Sequence, residues 1–338
     1  MAKPRLTQRQ QALQKKRQAS RVLRASRPMK TQSIDEEALG PEQSGLLIAH
    51  HGANLVVENE NGTLFKCSQR QNLPQLVVGD RVIWRANKDG TGVVVAQLER
   101  LSELGRPDSK GHIKLMAANV NQLVIIVAAS PPPLATTLDR YLVAAHWYQL
   151  KPLIVFNKYD LISHDEDHVE DQALFERIQS YSTLGYPLLI LSCKQNKGIA
   201  HLKNALKNQT SIFVGQSGVG KSSLISALIP DSLIQIGAIS EATGKGRHTT
   251  STAMLYHLPD SGHVIDSPGI REFGLGHLTR PMLEKGFKEF YPFIGQCKFK
   301  DCRHQHEPDC ALKAAVSRGD ILPWRFAHYD WLAKDLII

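Results

Sequence analysis

Between residues 45 and 101 the apolar positions come in short β-like runs, at 46–50, 54–58, 63–67, 77–85 and 92–98. Turn residues separate the runs: Asn61-Gly62 suits a tight hairpin, Val78-Gly79-Asp80 a bend and Lys88-Asp89-Gly90 a further turn. Strands so closely spaced predict a small closed barrel, an OB-fold by preference, with an SH3-like barrel used for protein contact as the alternative. Beyond residue 119 the pattern changes to continuous apolar blocks alternating with stretches of helical period. It predicts strands at 122–128, 153–156, 187–191 and 212–214, helices near 136–149, 169–184 and 199–207, and an antiparallel pair at 252–258 and 263–265 that turns at Asp260-Ser261-Gly262. Such alternation requires a parallel sheet covered on both faces. Pro131-Pro132-Pro133 interrupts any helix after the first of these strands and sets a loop at the sheet's C-terminal edge. Helices at 281–290 and 311–318 close the chain. The organisation expected is a flexible tail over 1–44, a barrel over 45–101, a polar linker over 102–118, an α/β domain over 119–277 and a helical part over 278–338.

The candidate chemistry gathers at strand ends. Ser211-Ile212-Phe213-Val214 runs into Gly215-Gln216-Ser217-Gly218-Val219-Gly220-Lys221-Ser222-Ser223, a complete G-x-x-x-x-G-K-S phosphate loop. Its glycines let consecutive N–H groups turn toward the α and β phosphates, Lys221 reaches the β and γ phosphates, and the Ser222 hydroxyl can ligate Mg²⁺. Leu224, Ile225, Ala227 and Leu228 continue at helical spacing, which puts the phosphates at a helix N-terminus.

The base is chosen elsewhere. The strand 153–156 ends in Asn157-Lys158-Tyr159-Asp160, an N-K-x-D whose carboxylate can accept from guanine's ring N–H and exocyclic amine together. Adenine would leave that carboxylate unpaired. Leu188 to Leu191 leads into Ser192-Cys193-Lys194, which resembles the S-A-K element of GTPases. Val264-Ile265 leads into Asp266-Ser267-Pro268-Gly269, a D-x-x-G with Asp266 for the Mg²⁺ shell and Gly269 for the γ phosphate. Thr249 or Thr250, between the phosphate loop and D-x-x-G, can complete that shell. The motifs run N-K-x-D, S-C-K, phosphate loop, threonines, D-x-x-G, whereas Ras-like GTPases place the phosphate loop first. The order is that of a circular permutation, which preserves a doubly wound sheet because the termini of a compact domain often lie close together. D-x-x-G then leads straight into the C-terminal part.

Charge adds a further element. The net charge is +9, and ten of the basic residues lie in the first 30, with no acidic residue among them. Without them 31 basic residues face 32 acidic ones, so the body is near neutral and the tail is an electrostatic arm suited to RNA. An organelle presequence would share that composition. No apolar run is long enough to span a membrane, the N-terminus lacks the apolar core of a secretory signal, and five cysteines suggest no disulfide framework. A reducing, cytoplasmic setting is expected. Three of the cysteines form Cys297-x₄-Cys302-x-His304-x₅-Cys310, a closed Cys₃His set of the kind that holds a structural Zn²⁺, with His306 as the rival imidazole.

Basic tail, OB-like barrel, permuted GTPase motifs and cysteine-histidine appendix together resemble the bacterial small-ribosomal-subunit biogenesis GTPases, over essentially the whole chain, including Gly246-Arg247-His248-Thr249-Thr250. The resemblance implies a cytoplasmic, monomeric GTP hydrolase that binds the 30S subunit and its 16S rRNA, is stimulated by the subunit, and acts late in 30S maturation. It also implies His304 rather than His306 as the fourth zinc ligand. The position after D-x-x-G, where Ras-like enzymes carry a water-orienting Gln, is Ile270, which cannot orient water. The resemblance points to His248 for that role.

Overall fold

A computed structural model describes residues 39–51, 54–107, 113–162, 169–229, 253–266, 275, 278–334 and 336. Thirteen strands lie among them. The first five, β1 (Leu39–His51), β2 (Asn54–Asn59), β3 (Leu64–Gln69), β4 (Arg81–Asn87) and β5 (Gly92–Gln97), close on themselves. They are ordered β1-β2-β3-β5-β4 with β4 returning to β1, and β3 pairs β5 in parallel while the other pairs are antiparallel. This is the OB-type connection, not the SH3-like one. Its interior is filled by Leu47, Leu55, Val57, Cys67, Val82, Trp84 and Val94. Two sequence boundaries shift. The strand expected at 77–85 begins only at Arg81, because Asp80 accepts from the Val77 N–H at 2.8 Å and fixes a turn there. The barrel also begins earlier than its apolar run, since Leu39–His51 includes residues assigned to the tail; those before 39 lie outside the described residues.

The expected linker is a paired ribbon, β6 (Glu103–Pro107) against β7 (Ile113–Ala118). Polar composition concealed it because its outer end, with Arg106, Ile113 and Lys114, is exposed while only Leu104, Gly105, Ala117 and Ala118 are buried. Its end is tied to the barrel by Ala118 N donating to Val78 O at 2.9 Å and Asn119 Nδ2 donating to Gly79 O at 2.8 Å.

The α/β domain follows with β8 (Gln122–Ala128), α1 (Thr137–Trp147), β9 (Lys151–Asn157), α2 (Val169–Thr183), β10 (Leu188–Ile190), α3 (Ile199–Leu206), β11 (Thr210–Val214), α4 (Lys221–Leu228), β12 (Met254–His257) and β13 (His263–Asp266). The strands stand in the order β10-β9-β8-β11-β13-β12 and are parallel except for β12. Strand side chains alternate in period two, and the two faces bury separate cores. Leu123, Ile125 and Val127 of β8 join Ile154, Phe156, Ile212 and Val214 on the face covered by α1 and the C-terminal part. Val124, Ile126 and Ala128 join Leu153, Val155 and Phe213 on the face covered by α3 and α4. β12 also pairs β1, with Ala49 opposite Met254, so barrel and domain form one continuous eleven-stranded sheet.

The C-terminal part is a helical cap of α5 (Arg280–Glu284), α6 (Ala311–Arg318) and α7 (Pro323–Lys334). The helix expected over 281–290 stops at Glu284 and resumes as a 3₁₀ turn at Lys288–Phe290, with Gly286 between them. Phe287, Phe290, Tyr329 and Leu332 bury against the α1 face.

Candidate nucleotide site and metal centre

The phosphate loop, N-K-x-D and S-C-K converge at the C-terminal ends of β11, β9 and β10, where ligands bind in doubly wound sheets. Asn157 at the end of β9 is fully buried and holds the three together. Its Nδ2 donates to Val219 O in the phosphate loop at 2.9 Å, and its Oδ1 accepts from Cys193 N at 3.2 Å. Its side chain is therefore a clasp between loops. Gly220 must be glycine for the same reason: its φ is +97°, and a Cβ there would fall 2.4 Å from Asn157 Nδ2.

Lys221 turns back over the loop, donating to Gly215 O at 2.7 Å and Gln216 O at 2.6 Å. Ser222 and Ser223 open α4 and are exposed. Asp160 is oriented by Ser192, whose hydroxyl donates to its Oδ1 at 2.5 Å while accepting from Gln195 N at 3.1 Å. A fixed carboxylate beside the S-C-K backbone is the arrangement that distinguishes guanine from adenine. Lys158, in the left-handed region at φ +59°, donates to Ser130 O at 2.8 Å, and the Tyr159 ring packs tilted against Phe175 with centroids 5.2 Å apart. Cys193 Sγ donates to Ser223 O at 3.3 Å, tying S-C-K to the start of α4. Lys194, at the end of S-C-K, lies within the loop that the Ser192–Lys197 bridge closes.

Asp266 ends β13, the strand beside the phosphate-loop strand. Burial lifts its carboxyl above the usual carboxylate range, opposed by the Lys221 charge. A half-buried carboxylate at this edge, within electrostatic reach of Lys221 of the phosphate loop, suits a divalent cation bound with the phosphates. His248, Thr249, Thr250 and Gly269 lie outside the described residues.

The metal-ligating side chains of the cap come together as well. The ligand atoms of Cys297, Cys302, His304 and Cys310 all lie within 4.8 Å of one another. His304 Nδ1 is 3.2 Å from Cys310 Sγ, 3.5 Å from Cys302 Sγ and 3.6 Å from Cys297 Sγ, and Cys297 and Cys310 sulfurs are 4.0 Å apart. A tetrahedron of Zn–S bonds of about 2.3 Å has edges of about 3.8 Å, so the spacing fits. His306 is exposed and outside the cluster. Sequence reasoning missed the residue behind the histidine: His304 Nε2 meets Glu284 Oε1 at 3.2 Å, and the same oxygen accepts from Tyr329 OH at 3.1 Å. With the carboxylate holding a proton on Nε2, Nδ1 presents its lone pair to the sulfurs, as a metal-binding imidazole requires.

A second group invisible in the sequence joins cap to domain. Asp139 in the first turn of α1, Arg325 and His328 of α7 and Tyr181 of α2 meet in the interior. Asp139 accepts from Arg325 Nη1 and His328 Nδ1, and from Tyr181 OH at 2.7 Å. Arg325 also donates from Nε and Nη2 to Glu289 at 2.5 and 3.2 Å, with its guanidinium 4.4 Å from the Phe287 ring centroid. The only hint in the sequence is Pro323 at the start of a stretch that can be helical, with no apolar stripe to mark it.

These observations agree with known proteins. The family model described as "RsgA GTPase" matches residues 97–276. A protein of Azotobacter vinelandii named small ribosomal subunit biogenesis GTPase RsgA is 49% identical over 344 residues, covering 99% of this chain and 98% of its own. One of Pseudomonas aeruginosa with the same name is 48% identical over 332 residues, with 97% and 96% covered. Among solved structures, YjeQ from Thermotoga maritima superposes with a TM-score of 0.68 at 33% identity, covering 87% of this chain and 98% of that one. YloQ, described as a circularly permuted GTPase, does so at 0.65 and 27%, covering 90% and 98%. With N-K-x-D and S-C-K preceding a phosphate loop that they clasp through Asn157, and with relatives matched along their whole length, the chain belongs to the RsgA family of circularly permuted GTPases.

Proposed function

We propose that this GTPase binds the small (30S) ribosomal subunit and its 16S rRNA and acts late in subunit maturation, hydrolysing GTP to GDP and phosphate at a rate the subunit raises. The observation that carries this reading is that the likeness to proteins named for small-subunit biogenesis extends through the barrel and the cap, well beyond the catalytic domain. An OB barrel and a basic N-terminal arm are both suited to RNA, and no helix among the described residues is long and apolar enough to cross a membrane. The protein works as a cytoplasmic monomer in this reading.

Within the site, Asn157 to Asp160 and Ser192 to Lys194 receive guanine, and Gly215 to Ser223 cradle the phosphates. Ser222, Asp266 and Thr249 or Thr250 hold Mg²⁺, and Gly269 reads the γ phosphate. His248 orients the attacking water that Ile270 cannot. Zn²⁺ in the Cys297, Cys302, His304 and Cys310 set is structural, because four protein ligands leave no open position. The test is steady-state GTP hydrolysis with and without 30S subunits, and with 50S subunits and free RNA as comparisons. A large increase confined to 30S is expected. No increase, or an equal one with any RNA, refutes the reading in favour of an assembly factor that uses nucleotide only as a conformational ligand.

A further inference from the structure

The side chain of Gln216, second in the phosphate loop, has work apart from nucleotide. Backbone N–H groups cradle phosphate, so this position needs no particular side chain for that purpose. Its amide nevertheless reaches across to the loop between β8 and α1, and only with its nitrogen turned toward Pro132 O and its oxygen toward Leu134 N are both ends satisfied, donating at 3.0 Å and accepting at 3.2 Å. The two loops touch at neighbouring points. A Cβ on Gly218 would begin 3.3 Å from Pro131 Cδ, and Lys158 of N-K-x-D donates to Ser130 O at 2.8 Å. Three consecutive prolines fix φ along this loop, so it offers the phosphate loop a stiff surface.

The far end of the same loop is anchored in the cap. Leu134 O accepts from Thr137 N at 2.9 Å at the start of α1, and Asp139 in that first turn is held by Arg325 and His328 of α7. From the Gln216 amide to the buried arginine of the cap the path crosses one proline loop and one helical turn. We propose that Gln216 is a positioning residue that braces the phosphate loop on the proline loop, and that through Asp139 this brace makes nucleotide affinity depend on the seating of the C-terminal cap. The proposal rests on the GTPase reading but not on the ribosomal one.

The test uses the full chain and three readouts: KM and kcat for GTP, the Kd for GDP, and the melting temperature without nucleotide. Gln216→Met keeps the length and removes both hydrogen bonds, so KM and Kd rise together, roughly tenfold, while kcat changes by less than about twofold. Gln216→Glu can accept from Leu134 N but cannot donate to Pro132 O, and it fails to restore affinity. Unchanged KM and Kd in Gln216→Met, or a fall in kcat at constant KM, overturns the brace. For the relay, Asp139→Asn weakens GDP binding although it lies outside the nucleotide site, and the Gln216→Met effect shrinks by at least about threefold in that background. Purely additive effects overturn the relay. If Asp139→Asn does not fold, His328→Gln, at the rim of the same cluster, carries the same comparison. If no variant or parent binds GDP or hydrolyses GTP, the GTPase reading itself has failed.

Discussion

Asp139→Asn, in the buried cluster between α1 and α7, gives the sharpest test of what holds the cap. The substitution keeps the volume, so no cavity contributes, and it removes a negative charge that faces Arg325 and His328 with side chains almost wholly out of solvent. Arg325 retains Glu289, but the buried cluster loses one of its two carboxylates and His328 loses its acceptor. Breaking a buried pair from one side costs about 3–5 kcal/mol, because the remaining charge stays desolvated. At an m-value of about 2 kcal/mol/M, the urea midpoint of the transition that releases the cap falls by roughly 2 M. Trp324, whose ring centroid lies 5.7 Å from the Arg325 guanidinium, supplies the fluorescence signal. Arg325→Met attacks the same pair from the other side, and the double variant loses less than the two single losses combined, by at least about 1 kcal/mol. A midpoint shift below about 0.5 M for Asp139→Asn, or strict additivity, refutes the claim that this cluster anchors α7.

Other outcomes follow from the sites. His304→Ala abolishes bound zinc, measured by elemental analysis of the purified chain, whereas His306→Ala retains one ion. Burial pushes the Cys302 thiol up to about 12 in the metal-free fold, so uptake of zinc displaces protons and chelator strips the metal more easily as pH falls, which a zinc-release titration measures. The carboxyl of Asp266 also sits above its ordinary range, so at the proposed Mg²⁺ site protons compete with the metal. Magnesium-dependent GTP affinity declines on acidification earlier than an ordinary carboxylate would allow, and Asp266→Asn removes that pH dependence along with most of the affinity. His248→Ala lowers subunit-stimulated turnover about 10²–10⁴-fold while GDP affinity holds, and unchanged stimulated turnover removes the histidine from the mechanism.

Much of this was legible because the decisive signals are local. The strand ends at Phe156-Asn157 and Val214-Gly215 carry their motifs in consecutive residues, and apolar runs as dense as 122–128 have few other ways to fold. Composition hid what depends on pairing partners. The ribbon of 103–107 and 113–118 is polar because only its end near the barrel is covered, and β1 reaches back to Leu39 because β4 offers it a partner. The roles of Asp139, Glu284 and Arg325 were out of reach for a different reason. Each acts through a residue distant in sequence, His304 lying 20 positions from Glu284 and Arg325 lying 186 from Asp139, and no spacing rule connects them. Asn157 was found but its clasp was not, since a motif names the residue without saying that its amide also ties two neighbouring loops together.

The strand β1 belongs to two bodies at once. It closes the barrel against β4 and, past a bulge between Leu47 and Ala49, lies beside β12 of the catalytic sheet, where Glu58 of the neighbouring barrel strand meets His257 at 2.5 Å. Among the described residues the barrel and the sheet that carries the nucleotide site share backbone pairing, like two jaws on one gauge. A surface that touches both must match the separation this pairing sets. Linked contacts add their strengths only when the target's geometry permits both at once, so in the proposed reading an RNA folded to the wrong dimensions engages one jaw and is released. A single shared strand thereby lets the two proposed attachments act together as a measurement of shape.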